Sequence, residues 1–456
     1  MAAALRCLVY LCCVLLLVPS LFGKTFSGAE RYGYLADIMP GDWAATNVWI
    51  DSTDCTLARG TWLALCEDGK LVPISERAQA DDPGHALLLN AWAAATGRRA
   101  TLVDVARLNT VLNALGLVTL AGLLVALRVW GAAAALLVLG PAEYLFWMGT
   151  SPHWSYIGMV SLAAVLPLAL LARAEGMLGR RAAAAWIGVG LVFLACVALV
   201  RESIGIMGLL ISLAALFWSG VKAPRSPAKL AGLLVVASLS FMAFTAPRLA
   251  VAARDASFDM VAAERLERHG LAHTLYLGLG FVENKYGLIY DDDFGYESAR
   301  RIVPDIVFFS PEYFRLMWKL YLGYVVRDPV EVARIYLVKA GLLLERPTVH
   351  PGPPLGVVVA VAVLHFLVLT AFGWWRRIGF SQGLIVEAVA LAFLGLFVAQ
   401  GMVALPSHMY IVPINAFVLV LLGVIAETFL RALWTLWWTP DAAVHRSWSR
   451  GWRAGS

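Results

Sequence analysis

The sequence predicts an all-α polytopic membrane protein with about ten transmembrane helices and two large loops on one face, and three observations predict it. First, the 456 residues are 60% apolar and only 15% charged, with a mean hydropathy of +0.74; a soluble domain is about half apolar and a quarter charged. Second, the excess collects in runs of about 18 to 25 residues, long enough to cross a hydrocarbon core as helices. These runs lack the alternation of a barrel strand. Third, lysine and arginine are distributed unevenly between the short loops, as a membrane orientation requires.

The first apolar run is 5–23, behind Arg6. It reads as an uncleaved first helix, with a cleaved signal peptide as the other reading. Nine further runs follow at 102–126, 129–148, 155–172, 182–200, 204–220, 230–247, 355–375, 383–405 and 410–433. One set of short loops holds Arg128, then Arg173, Arg180 and Arg181, then Lys222, Arg225 and Lys229, then Arg376 and Arg377, whereas the opposite short loops hold only Arg201. The positive-inside rule therefore predicts a multi-pass protein of the inner (cell) membrane with both termini cytoplasmic. The net charge of +5 reflects this loop bias rather than nucleic-acid binding.

Three parts follow: residues 1–254, a transmembrane module with a first outer loop at 24–101; residues 248–354, a second large outer loop; and residues 355–456, the last membrane helices with a basic tail. Loops of that length usually carry function. Both contain helix signals. Pro83-Gly84 opens a run that Arg98-Arg99 ends, Ser310-Pro311 caps a helix through Tyr321, and Asp328-Pro329 repeats the start signal for a helix toward Leu344. The mixed aromatic, aliphatic and basic residues of these last two helices suit the headgroup boundary, or packing against the other loop. Cys7, Cys12, Cys13 and Cys196 fall in apolar runs as packing residues. Cys55 and Cys66 fall in the first loop, where a disulfide and two unpaired thiols are both permitted.

Candidate chemistry lies near the outer boundary. Glu30, Asp37 and Asp42 follow the first span, and an acid held there can act as general base toward a hydroxyl or amine; the plainer reading is a capping or solvated acid. Arg31, Arg201 and Lys285 are placed to hold a lipid phosphate, Arg201 through its planar fork. The alternative for Arg201 is a local ion pair with Glu202. His273, Glu283, Asn284 and Lys285 stand among glycines and aromatic residues in a stretch that could form a sugar-binding wall. Asp291, Asp292 and Asp293 read as a solvated turn more than as a metal cluster. No cofactor is identified, a divalent metal is possible but not indicated, and no nucleotide motif is present. Glu143, His153, His365, Glu387 and His408 are polar at membrane depth; for His365 and Glu387 the expected role is interhelical hydrogen bonding.

The layout resembles the GT-C superfamily of membrane glycosyltransferases, with long loops after spans one and seven. Glu30-Arg31-Tyr32 through Met39-Pro40-Gly41-Asp42-Trp43 is similar to the first-loop stretch of the aminoarabinose transferases and protein O-mannosyltransferases. Asp82-Pro83-Gly84 with Arg107-Leu108-Asn109 resembles their run into the second helix. Pro406, His408, Tyr410 and Pro413 resemble a late motif, with His408 where the family has arginine. The resemblance implies transfer of a sugar from a polyprenyl-phosphate donor to a glycan, lipid or protein acceptor. It implies Glu30 or Asp37 as catalytic residue. Arg31, Arg201, His153, His273, Glu283, Asn284, Lys285, His408 and Tyr410 would then bind substrate. The family's catalytic aspartate would fall near Gly28 or Ala29, and neither is acidic. Either Glu30 or Asp37 takes that role, or transferase activity is lost. A lipid-linked sugar carrier and a non-catalytic assembly protein are the alternatives.

Overall fold

A computed structural model of the protein describes residues 10 and 14, then 44–67, 69–74, 83–148, 156–222, 226–258, 270–349, 352–406 and 412–438. It is about 79% helical, consistent with an all-α polytopic membrane protein. Among the described residues, seven helices are long and apolar enough to cross a membrane: Leu102–Ala126, Ile157–Ala174, Arg180–Val200, Glu202–Lys222, Pro227–Asp255, Ser381–Val403 and Val412–Thr435. Two other expected spans form shorter apolar helices, Trp130–Pro141 and Leu355–Ala371. The first expected span falls almost wholly outside the described residues.

The first loop contributes α1 (Ala44–Arg59), a hairpin of β1 (Ala64–Glu67) and β2 (Lys70–Pro73), and α2 (Pro83–Thr96). The antiparallel hairpin pairs Ala64 with Pro73 and Glu67 with Lys70; it departs from the all-helical expectation. The bundle follows as α3 (Leu102–Ala126), α4 (Trp130–Met148), α5 (Tyr156–Ala163), α6 (Val165–Ala174), α7 (Arg180–Val200), α8 (Glu202–Lys222) and α9 (Pro227–Asp255). The second loop contributes α10 (Leu271–Gly278), α11 (Asp292–Arg300), α12 (Pro311–Arg327) and α13 (Pro329–Glu345). The chain then returns to the bundle as α14 (Leu355–Ala371), α15 (Trp374–Arg377), α16 (Ser381–Val403) and α17 (Asn415–Trp438).

The helix starts in the second loop form where their caps stand in the sequence. The Ser310 hydroxyl accepts from the Tyr313 amide at 3.1 Å, and the Asp328 carboxylate accepts from the Glu331 amide at 3.2 Å. In each case proline fills the first helical position, where its missing N–H costs nothing.

The main apolar core runs through α3 to α8 and α14 to α17, while each loop layer has its own smaller core. Membrane helices gain no hydrophobic drive from one another, so small residues that admit close backbone contact set their packing. The α3–α5 crossing depends on two such residues. A Cβ on Gly116 would lie 2.3 Å from the Gly158 carbonyl oxygen, and one on Gly158 would lie 2.3 Å from the Leu112 carbonyl oxygen. Cys196, expected as a packing residue, is instead a free thiol on the exposed side of α7. Cys55 and Cys66 form a disulfide with Cα atoms 5.2 Å apart, joining α1 to the hairpin.

Gly158→Leu should lower the apparent melting temperature of the detergent-solubilised protein, at a cost of about 3 kcal/mol from overpacking. Gly188→Leu, where the added atom meets nothing within 4 Å, should leave it close to the parent value.

Candidate functional site

The two loop layers sit at the same end of the bundle, on different helices. The first layer is held together by Asn90, which is fully buried. Its amide donates to the Ser52 hydroxyl at 2.8 Å, and its carbonyl accepts from the Leu63 amide at 2.7 Å. One residue thus ties α1, the approach to the hairpin, and α2.

Three contacts fasten this layer to the bundle. On α2, His85 stacks on Trp49 with centroids 4.5 Å apart, and its Nε2 is 3.2 Å from the Asn109 Oδ1 on α3. Asn109 begins a buried polar ladder. Its backbone carbonyl accepts from the Asn113 Nδ2 at 2.7 Å, and the Asn113 Oδ1 accepts from the Gly158 amide at 2.7 Å. The second contact is Gly84, where an added Cβ would lie 2.6 Å from the Val200 backbone nitrogen, so the start of α2 rests on the end of α7. The third is Arg254, beyond the membrane-facing part of α9, which donates to the Leu63 carbonyl at 3.0 Å and also to that of Trp62.

Arg201 is therefore placed where the first layer meets the bundle. It is the single residue between α7 and α8, in extended conformation, and its amide donates to the Val197 carbonyl at 2.7 Å. Glu202 opens α8, where a carboxylate favours the helix N-terminus. It is gripped in bidentate fashion by Arg248 of α9, with Nη2 to Oε2 at 2.5 Å. On its own side Glu202 is thus tied to the next helix as well as to the turn that carries Arg201. Arg98 grips Asp104 in the same way, with two bonds of 2.9 Å at the start of α3.

The second layer organises its polar residues differently. His273 is buried, with Nε2 2.9 Å from the Asp292 carboxylate and Nδ1 2.7 Å from the Tyr313 hydroxyl. It packs among Phe308, Phe309 and Tyr313. Burial, with help from the Asp292 charge, pushes the Tyr313 phenol well up from its ordinary value. Asp291 caps α11 by accepting from the Phe294 amide at 3.0 Å. Asn284 shapes its own loop: its Oδ1 accepts from the Tyr286 and Leu288 amides at 3.1 and 3.0 Å, and its Nδ2 donates to the Val282 and Leu288 carbonyls. Lys285 pairs with Asp328, and Arg334 donates to the Glu283 carbonyl at 2.7 Å while chelating Glu331. The hydrogen bond from Lys285 holds the Asp328 carboxyl below its ordinary value.

Lys339 joins this layer to the bundle. It is fully buried on α13, and its ammonium donates to the carbonyls of Gly278 at 2.9 Å, Val403 at 3.3 Å and Ala404 at 2.6 Å. The last two belong to the end of α16, where a cation meets the negative end of the helix dipole. Burial pulls the Lys339 pKa down to about 7.

The described candidates therefore fall into two groups: Arg201 beneath the first layer, and His273, Glu283, Asn284 and Lys285 in the second. Glu30, Asp37, Arg31, His153, His408 and Tyr410 lie outside the described residues. Glu143 lies on α4. His365 and Glu387 form the expected interhelical contact, with Nδ1 2.8 Å from Oε1. Sequence reasoning missed Lys339, the Glu202–Arg248 clamp and the Asn109–Asn113 ladder. Lys339 could have been found by its position, since it continues the buried stripe of Val332, Ile335 and Leu343.

Fold and site together define a helical polytopic membrane protein with two polar layers fastened over one end of the bundle. Comparison with protein-family models, curated proteins and solved structures found no match to this chain.

Three outcomes are expected. Lys339→Ala, which strands three buried carbonyls, should cost about 3 kcal/mol of stability. Because the folded-state pKa of Lys339 lies below the unfolded value, the unfolded chain binds more protons between about pH 7 and 10.5. The contribution of this residue should therefore rise with pH across that window, and the gap between parent and Lys339→Ala in denaturant titrations should widen from pH 7 to pH 10. For Asp328 the sign is opposite. Its lowered pKa makes the Lys285 tie complete above the ordinary carboxylate value, and the tie is lost as pH falls through the lowered one. Hydrogen exchange in residues 282–290 should be faster in Lys285→Gln at neutral pH, and the difference should vanish in acid.

Proposed function

We propose that the chain is a membrane glycosyltransferase that moves a sugar from a polyprenyl-phosphate donor to an acceptor at the outer face of the inner membrane. The observation that carries this reading is the placement of Arg201. It occupies a one-residue turn at the bundle end that both loop layers cover, beside the point where α2 rests on α7. Glu202, the residue after Arg201, is held by Arg248 of the next helix. A guanidinium at that depth suits a lipid phosphate.

Glu30, with Asp37 as second choice, would deprotonate the acceptor hydroxyl or amine. The acceptor oxygen or nitrogen then bonds to the anomeric carbon as the bond to the phosphate oxygen breaks, and polyprenyl phosphate leaves with that electron pair. Phosphate is already a good leaving group, so positioning plus a base suffices. The Cys55–Cys66 disulfide supports an oxidising compartment around the first loop. The outward side of α12 and α13 exposes Val326 at 78%, Val330 at 79% and Leu337 at 70%, which suits helices seated at the headgroup boundary. A membrane carrier for the same lipid is the second reading. The part-buried His365–Glu387 pair favours it, because His365 Nε2 has no hydrogen-bond partner among the described residues, and ionisable groups within spans often mark transport paths. A non-catalytic assembly protein is the third, on the ground that Gly28 and Ala29 are not acidic.

Purified protein given a polyprenyl-phosphate sugar should transfer it. Glu30→Gln or Asp37→Asn should abolish transfer while lipid binding persists, and Arg201→Gln should weaken lipid binding about tenfold. Binding without turnover in the parent protein would favour the carrier or assembly readings.

A further inference from the structure

The bundle end away from the loop layers has a notch of about 460 Å³ between α4, Ile378 and the last turns of α17. Its walls are Trp130, Ile378, Leu430 and Trp434, and its polar floor is Glu427 and Arg431. Leu430 and Trp434 are each 64% exposed, so the notch opens sideways. Tryptophan concentrates where hydrocarbon meets headgroups, because its ring is apolar and its N–H is not. Two of them flanking an arginine mark that depth.

The floor is built. Glu427 Oε2 accepts from the Gly131 amide at 2.7 Å, at the start of α4. Its Oε1 accepts from Arg431 at 2.7 and 2.9 Å. The Arg431 guanidinium lies 4.5 Å from the Phe380 ring centre and also reaches the Arg128 carbonyl at 3.5 Å. Exposed Arg128 precedes the notch on the α4 side, and exposed Arg376 and Arg377 precede Ile378 on the other. Glu427 is the only carboxylate lining the notch among the described residues. Glu175, a carboxylate that Arg376 feels, is held by Lys222 at 2.5 Å. Three exposed arginines thus adjoin in sequence the residues that line the notch, whose walls are apolar.

We propose that this notch seats an anionic phospholipid, with its phosphate beside Arg431 and Arg128 and an acyl chain along Leu430 and Trp434. Basic pockets between membrane helices take anionic headgroups for this reason, each arginine adding to the attraction. The site is independent of any transferase activity at the opposite end.

The test uses the full chain in detergent, with phosphatidylglycerol and phosphatidylcholine of the same acyl composition added separately. Phosphatidylglycerol should raise the melting temperature more, and native mass spectra should retain it. Arg431→Gln leaves Glu427 without its cation and so reports on folding as well. Arg128→Gln and Arg376→Gln avoid that, and each should weaken phosphatidylglycerol binding about fivefold while leaving phosphatidylcholine unaffected. Trp434→Ala should weaken both lipids. Equal shifts from the two lipids would overturn the proposal, as would a phosphatidylglycerol preference that survives both arginine changes. A lipid-free dimer in the native spectra would assign the face to a second copy instead.

Discussion

Polar groups carried into this bundle must find partners inside the protein, since hydrocarbon offers none, and that constraint shapes the end where the loops lie. The ladder from His85 through Asn109 and Asn113 to the Gly158 amide meets it with side chains. It also fastens the first layer to α3 and α5. Lys339 meets it from the other direction, bringing a cation to carbonyls that the end of α16 leaves open. Each device satisfies buried polar atoms and, in the same act, fixes a loop layer on the bundle.

The consequence is a floor of helix ends beneath the two loop layers. Arg201 belongs to the floor, in a turn too short to move independently of α7 and α8. His273 is placed otherwise. Its ring is taken up by Asp292 and Tyr313 within an aromatic core, which makes it a pillar of the second layer. Asn284 likewise serves its own loop through four bonds to neighbouring backbone.

The helices were legible because their signals are local. Apolar runs give the spans, and Ser310-Pro311 and Asp328-Pro329 carry their caps beside them. The span count was less so: α14 is apolar but 17 residues long, and α4 carries Pro141 within its 19 residues. The hairpin at 64–73 had a local signal that went unread, the two turn-forming residue types Asp68-Gly69 between strands that pair Glu67 with Lys70. The Glu202–Arg248 clamp was hidden because it joins residues 46 apart. Asn109 and Asn113 were visible as amides one turn apart in an apolar helix, but their partner Gly158 carries no side chain to announce it.

The most direct measurement is a cryo-electron microscopy map of the full chain in lipid nanodiscs with a polyprenyl phosphate bound. Its phosphate should lie within about 3 Å of the Arg201 guanidinium, under the edge of the first layer, with Glu30 or Asp37 facing the same space. A phosphate bound elsewhere, or both acids turned away from it, would contradict the account and leave only the helical membrane architecture standing.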